Sequence, residues 1–224
     1  MNRRTGGPPP DPGHDIPYAA EVKRKALHLL ALVVPFLMGI LGKPVSTAIL
    51  IPCALVFLGA DFLRARSAGF AAWIDRWFGF MMRGEERAVR PDAVVINGAT
   101  WVLVTAAILT VIFPMRIAVA SFVMFMVADA AAALFGRRFG THRWPNSPRT
   151  LEGSMAFAIT GVIIMLLFRD IVFWTGVVTA IVAAGAEVVR RPLNDNIRVP
   201  VVAALTLFLL ERFVLGLPVS LFHF

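Results

Sequence analysis

Residues 143–153 read Arg143-Trp144-Pro145-Asn146-Ser147-Pro148-Arg149-Thr150-Leu151-Glu152-Gly153. Two prolines and two arginines mark a loop, and Glu152 then opens an apolar run that continues to 168. A second apolar run, 116–135, ends just upstream and holds a lone carboxylate, Asp129. Between run and loop stand Gly136-Arg137-Arg138-Phe139-Gly140. Each run comes close to the ~20 residues that cross a bilayer as a helix. A basic loop held between two such runs decides the fold class: an all-α, polytopic membrane bundle, in which every backbone polar group is satisfied within its own helix.

Composition agrees. Of 224 residues 58% are hydrophobic, and the mean hydropathy is +0.75. Soluble domains average about 45–50% apolar. The pattern predicts seven spans, near 26–42, 45–63, 93–113, 116–135, 151–168, 171–189 and 199–215, the last of them short. Segment 64–92 is too charged to cross. It sets Phe70, Trp73, Trp77, Phe78 and Phe80 among Arg64, Arg66, Arg76 and Arg83, the pattern of an interfacial amphipathic helix. Residues 1–20 are rich in Pro and Gly, lack the apolar core of a signal peptide, and read as a disordered tail. The remainder, 21–224, reads as one transmembrane domain. Cys53 stands alone in an apolar run, as a small packing residue with no disulfide partner in the chain.

The basic residues set the orientation. Arg3, Arg4, Lys23, Arg24 and Lys25 precede the first span. Arg64, Arg66, Arg76, Arg83, Arg87 and Arg90 follow the second. Arg137, Arg138, Arg143 and Arg149 follow the fourth, and Arg190, Arg191 and Arg198 the sixth. The opposite face has Lys43, Arg116 and Arg169, with Arg212 near the end of the seventh span. That alternation predicts a cytoplasmic N-terminus. The net charge of +8 therefore belongs to membrane topology and not to a nucleic-acid surface.

Polar groups within spans are costly and are functional candidates by default. Here they gather at one membrane face: His28, Asp61, Asp129, Glu152, Glu187 and Asp195-Asn196. A transporter would place some at the midplane, in broken helices repeated between two halves, and no such repeat is present. Glu21, Arg24, Lys25 and His28 share one helical stripe, either a snorkelling anchor or a phosphate-facing cluster. Asp129 has no basic neighbour one turn away, so a structural role needs a partner on another helix. A carboxylate near phosphates suits Mg²⁺ or the proton of an attacking hydroxyl. Gly136 to Gly140 has small-xxx-small spacing, but its two arginines point to a turn with basic donors, not to helix packing in lipid. Glu152 at a helix start, Glu187 near Arg190 and Arg191, and Asp195 or Asn196 as a cap each have an ordinary structural explanation. Together with Lys25, Arg143 and Arg149 they suit a metal and a polyphosphate, the needs of phosphoryl transfer.

The chain also resembles the CTP-dependent lipid-alcohol kinases: dolichol kinase, phytol kinase and the CTP-using diacylglycerol kinase. The matching residues are Arg24-Lys25-x-x-His28, then Asp129 with Gly136 and Gly140, then His142-Arg143-Trp144-Pro145. They continue as Arg149-Thr150-x-Glu152-Gly153-Ser154, Glu187, and Asp195-Asn196-x-x-x-Pro200. The resemblance covers about 21–200, in order. It implies CTP as donor, a divalent metal, a lipid alcohol as acceptor, and an active site on the cytoplasmic face of the inner or plasma membrane. It implies Asp129 and Glu152 at the metal and nucleotide. Arg24, Lys25, Gly136, Gly140, Arg143, Arg149, Thr150, Gly153 and Asn196 would meet phosphates or nucleotide, with 136–150 as the nucleotide-binding loop. Glu187, Asp195 or His28 would orient or deprotonate the hydroxyl. One departure is Arg149, where the family often has lysine, and seven spans are fewer than the longer eukaryotic members have. The same central block resembles phosphatidate cytidylyltransferase, but 190–196 here read Arg-Arg-Pro-Leu-Asn-Asp-Asn and lack that enzyme's terminal pattern. A transporter or membrane scaffold is the non-enzymatic alternative. Neither the lipid nor the oligomeric state is readable.

Overall fold

The computed structural model describes residues 18–79, 82, 94–145, 147–189 and 193–222. Most of the expected tail, the end of the expected interfacial segment, and Arg190 and Arg191 lie outside them. The described residues form eight α-helices and no strand. They are α1 (Tyr18–Leu30), α2 (Val33–Arg66), α3 (Ala68–Phe78), α4 (Gly98–Ile112), α5 (Met115–Phe139), α6 (Leu151–Leu167), α7 (Phe173–Val188) and α8 (Asp195–Leu209). A π-helical turn, Leu210–Val214, extends α8.

Short polar side chains start these helices, because the first turn leaves backbone N–H groups without partners. Ser67 accepts from Phe70 N at 3.3 Å, Asn97 from Thr100 N at 3.0 Å, Thr150 from Gly153 N at 3.1 Å and Asn194 from Asn196 N at 2.9 Å. Asn194, and neither Asp195 nor Asn196, thus caps α8. Asp195 stands one residue inside the helix with its carboxylate available to other partners.

α2 folds back on itself. Gly42 has φ 72° and ψ 174°, a conformation open essentially to glycine alone. Ser46 Oγ donates to Met38 O at 3.4 Å across the bend. Lys25 and His28 line the same cavity as Asp61 and Arg64. A straight helix would hold groups 36 residues apart at a separation of about 54 Å. The expected first and second spans are therefore the two arms of one hairpin, with the break at Ala31 and Leu32 joining α1 to the first arm.

α5 is the centre of the bundle. Ile117, Ala118, Ala120, Phe122, Met124, Phe125, Met126 and Ala128 are all fully buried. It packs against α1, α2, α4, α6 and α8. The outer surface is apolar: Phe36, Ile40, Val56, Ile159, Leu167, Ile181 and Phe213 are each more than half exposed. A soluble monomer rarely exposes so much contiguous apolar area. Among the described residues two segments, Glu21–Arg66 and Met115–Phe139, are long and apolar enough to cross a membrane, and three further helices are apolar but shorter. α3 carries the expected amphipathic character, with Trp73, Trp77 and Phe78 exposed and Ala71 buried.

The two ends of the bundle differ in charge partners. At one end stand Lys25 with Asp129, Asp61 with Asn97, and Arg149 with Asp195. At the other, Lys43 Nζ donates to Phe113 O at 3.1 Å. There Arg116 holds both oxygens of fully buried Glu211, at 2.8 and 2.5 Å, and reaches Asp170 O at 3.1 Å.

Candidate functional site

The site is built where α1, α5, α6, α7 and α8 meet. The stripe of α1 turns inward: Glu21 and Lys25 are buried, and His28 lies a turn further. Lys25 Nζ donates to Asp129 Oδ2, and His28 Nε2 lies 3.8 Å from the same oxygen. Asp129 therefore has the partner on another helix that its isolation in sequence demanded. Glu21 pairs with Arg24 on its own helix and lies 3.8 Å from Arg137 on α5. A buried pair of this kind offsets the desolvation of both charges, and removing one partner would strand the other.

Arg149 is the second centre. Its Nε lies 2.9 Å from Glu187 Oε1, and its NH2 group donates to Asp195 Oδ2 at 2.8 Å. Arg198 binds the other oxygen of Asp195. Burial lowers the hold of the Arg149 guanidinium on its proton, but the carboxylates of Glu187, Asp129 and Asp195 outweigh it and raise the group further. Asp129 is thus within electrostatic reach of Arg149 as well as Lys25. Glu187 is buried, and neither of its oxygens accepts a hydrogen bond despite the nearby Arg149. A buried acceptor left open in this way has capacity for a donor or a cation from a ligand.

Residues 142–145 and 147–151 pair as a hairpin. Trp144 N donates to Arg149 O at 3.1 Å and Leu151 N to His142 O at 2.8 Å. Arg143 and Thr150 form a single antiparallel bridge. Trp144 Nε1 donates to Ser154 Oγ at 3.1 Å, which ties the loop to α6. This hairpin presents Arg149 inward while leaving Arg143 exposed.

Two expectations need correction. Gly136 to Phe139 belong to α5, whose helix runs through Phe139, so they are not a turn. They also do make a close helix contact. A Cβ at Gly136 would fall 2.9 Å from Thr150 Oγ1 and 3.3 Å from Gly153 Cα. One at Gly140 would fall 2.2 Å from Gly136 O, and one at Gly153 3.0 Å from Ala132 O. The arginines do not prevent this, because Arg137 and Arg138 point away into exposed positions. Small residues here let the end of α5 and the start of α6 touch backbone to backbone.

Glu152 takes a separate position. It is partly exposed and accepts from Thr141 Oγ1 at 2.7 Å and His142 N at 3.2 Å, with His142 Nδ1 at 2.8 Å. It shares none of these partners with Asp129. Among the described residues no group of three or more His, Cys, Asp or Glu side chains converges as a metal cage. Asn196 reaches the cavity beside Asp129, and its backbone oxygen accepts from Thr105 Oγ1 at 2.7 Å.

One network was given no role by sequence reasoning. Asp61 accepts from Asn97 N at 3.0 Å, Asn97 Nδ2 at 2.8 Å and Thr100 Oγ1 at 2.7 Å. Arg64 lies 3.7 Å from it and donates to Val95 O at 2.7 Å. This latch fastens the end of α2 to the start of α4. The run Asn97-Gly98-Ala99-Thr100 was its readable signal, since a capping residue before an apolar run marks a helix start.

Chemically, the arrangement offers one buried carboxylate on an ammonium and a second buried carboxylate beside a guanidinium. Such a site can bind anions through its cations and steer a proton through its carboxylates.

The comparisons with known proteins agree in outline. The chain is 22% identical over 190 residues to an uncharacterized protein of Rickettsia prowazekii, covering 80% of this chain and 89% of that one. It is 30% identical over 82 residues to dolichol kinase of Saccharomyces cerevisiae, covering 33% of this chain. The match spans only 16% of the yeast enzyme's length. No family model matches the chain. No solved structure matches it.

Proposed function

We propose that the chain is an integral-membrane kinase that moves the γ-phosphate of CTP to the hydroxyl of a lipid alcohol. The observation that carries this reading is the position of Asp129. One buried carboxylate, paired with Lys25 between α1 and α5, lines a cavity whose walls are largely apolar. Phosphoryl transfer from a soluble nucleotide to a bilayer lipid needs such a junction. The partial likeness to yeast dolichol kinase supports the same choice. The apolar outer surface and the segregation of charged partners at the bundle ends support a seven-span chain with this end in the cytoplasm.

In this reading Arg149 and Lys25 attract the polyphosphate and spread the charge of the transferring group. Both already hold carboxylates, so phosphate oxygens would exchange places with Asp195 and Asp129. Arg149 suits the task because its planar fork can hold two oxygens at once. His28, which lines the cavity with Asp129, takes the proton of the attacking hydroxyl, while Glu187 holds the Arg149 guanidinium. The new bond joins that hydroxyl oxygen to the γ-phosphorus, and the bond to the β-bridging oxygen breaks to release CDP. Asp129 would hold a magnesium ion, a cation that needs few protein carboxylates, while Glu152 stays with Thr141 and His142. Bound there, the ion would neutralise phosphate charge.

The test uses purified protein in detergent with Mg²⁺, a panel of lipid alcohols and lipid phosphates, and CTP labelled separately at the α or γ position. Label entering lipid from the γ position alone is the expected result. Label from the α position would make the protein a cytidylyltransferase. No transfer from CTP or ATP would move the reading to a transporter or scaffold.

A further inference from the structure

A cavity of about 390 Å³ opens between α1, α2, α3 and α4. Lys25, His28 and Asp129 belong to its polar lining, together with Asp61, Asn97 and Asn196. Its apolar limb is walled by Val56 and Phe57 of α2, Val102 of α4, and Ile74 and Phe78 of α3. Val56 is 68% exposed and Phe57 41% exposed, so the mouth opens on the apolar outer face of α2. An apolar wall exposed on the outer face suits the sideways entry of a hydrocarbon chain. The Asp61 latch fixes the spacing of α2 and α4, so the limb has a set width. Its volume lies near the lower end of the ~300–1,000 Å³ range of small-molecule sites.

We propose that this cavity is the acceptor site and takes a single-chain alcohol, its hydroxyl at Asp129 and its chain between α2 and α4 beneath α3. The inference rests on the lipid-alcohol reading and deepens it. The alcohol approaches Asp129 from the α1–α2 side, and Arg149 brings the phosphates from the α6–α7 side. Two chains of a diacylglycerol do not fit the one limb. Ala60 of α2, half-buried in its wall, sets how far the chain can extend.

The test has two arms on the full chain in detergent. In the first, a benzophenone-bearing farnesol analogue is photolysed with the protein in the absence of nucleotide, and the modified peptides are identified. Crosslinks on α2, α3 or α4 at the cavity, competed by geranylgeraniol and lost in Ala60→Phe, are expected. Crosslinks elsewhere, or equal competition by dioleoylglycerol, would overturn the inference. In the second, phosphorylation of geraniol and geranylgeraniol is compared in wild type and Ala60→Phe. The ratio should shift toward geraniol by at least about tenfold, since one misplaced methylene is worth 10–200-fold in an apolar pocket. An unchanged ratio would contradict the assignment. Should Ala60→Phe fail to fold, Ala60→Val provides the same comparison with a smaller shift. A wild-type protein that crosslinks at the cavity but phosphorylates nothing would overturn the kinase reading and leave the lipid site standing.

Discussion

At the scale of single residues, the Lys25–Asp129 pair separates structure from chemistry. Lys25→Met strands a buried carboxylate and should cost about 3–5 kcal/mol of stability. Lys25→Met with Asp129→Leu removes both charges and should recover most of that loss. Unfolding in detergent by urea checks both values, and a double variant as unstable as the single one would contradict the pairing. Neither variant should transfer phosphate. Arg149→Lys keeps the charge but cannot span Glu187 and Asp195 together, so activity should fall by roughly tenfold with the fold intact. Arg149→Ala should fall further, by about a hundredfold or more. Kinetics at saturating lipid alcohol measure both, and equal activity of all three proteins would exclude Arg149 from the site. Asp129 was legible in sequence because it had no local partner. Its mate Lys25 was legible only as a member of a stripe, because a helical stripe does not say which neighbour it faces.

At the scale of elements, three glycines predict different outcomes. Gly42 has open space around it, so Gly42→Ala is penalised by backbone conformation alone, by ~1–3 kcal/mol. Gly140→Ala meets backbone and Thr150 at 2.2 and 2.7 Å and should cost about 1–3 kcal/mol through forced displacement of α5 from α6. Gly185 has nothing within 4 Å, and Gly185→Ala should be neutral or gain up to ~1 kcal/mol in mid-helix. Thermal unfolding of the three variants checks the order, and a Gly185→Ala protein as unstable as Gly140→Ala would contradict it. The helices themselves were legible from apolar run lengths. The α5 end was not, because the signals for a turn and for a tight helix crossing are the same two glycines. Which one forms depends on Gly153 and Thr150, which lie far along the chain from Gly136 and are set beside it only by the α5–α6 reversal.

At the scale of the molecule, the account predicts one cytoplasmic end carrying all the site residues. Single-cysteine variants Thr141→Cys and Leu217→Cys, made in a Cys53→Ala background, should react with an impermeant maleimide from opposite sides of sealed vesicles. Labelling of both from one side would refute the topology. Charged residues set the expected orientation at this scale, because a bilayer penalises misplaced charge at every crossing. The Asp61 latch and the Arg116–Glu211 pair were not anticipated, since both join residues far apart in sequence. The most direct test of the central claim is transfer of label from γ-labelled CTP to geranylgeraniol by wild type and Asp129→Asn at matched folded concentration. The account predicts labelled lipid from wild type and a loss of at least about a hundredfold in Asp129→Asn. Equal transfer by the two proteins would contradict it.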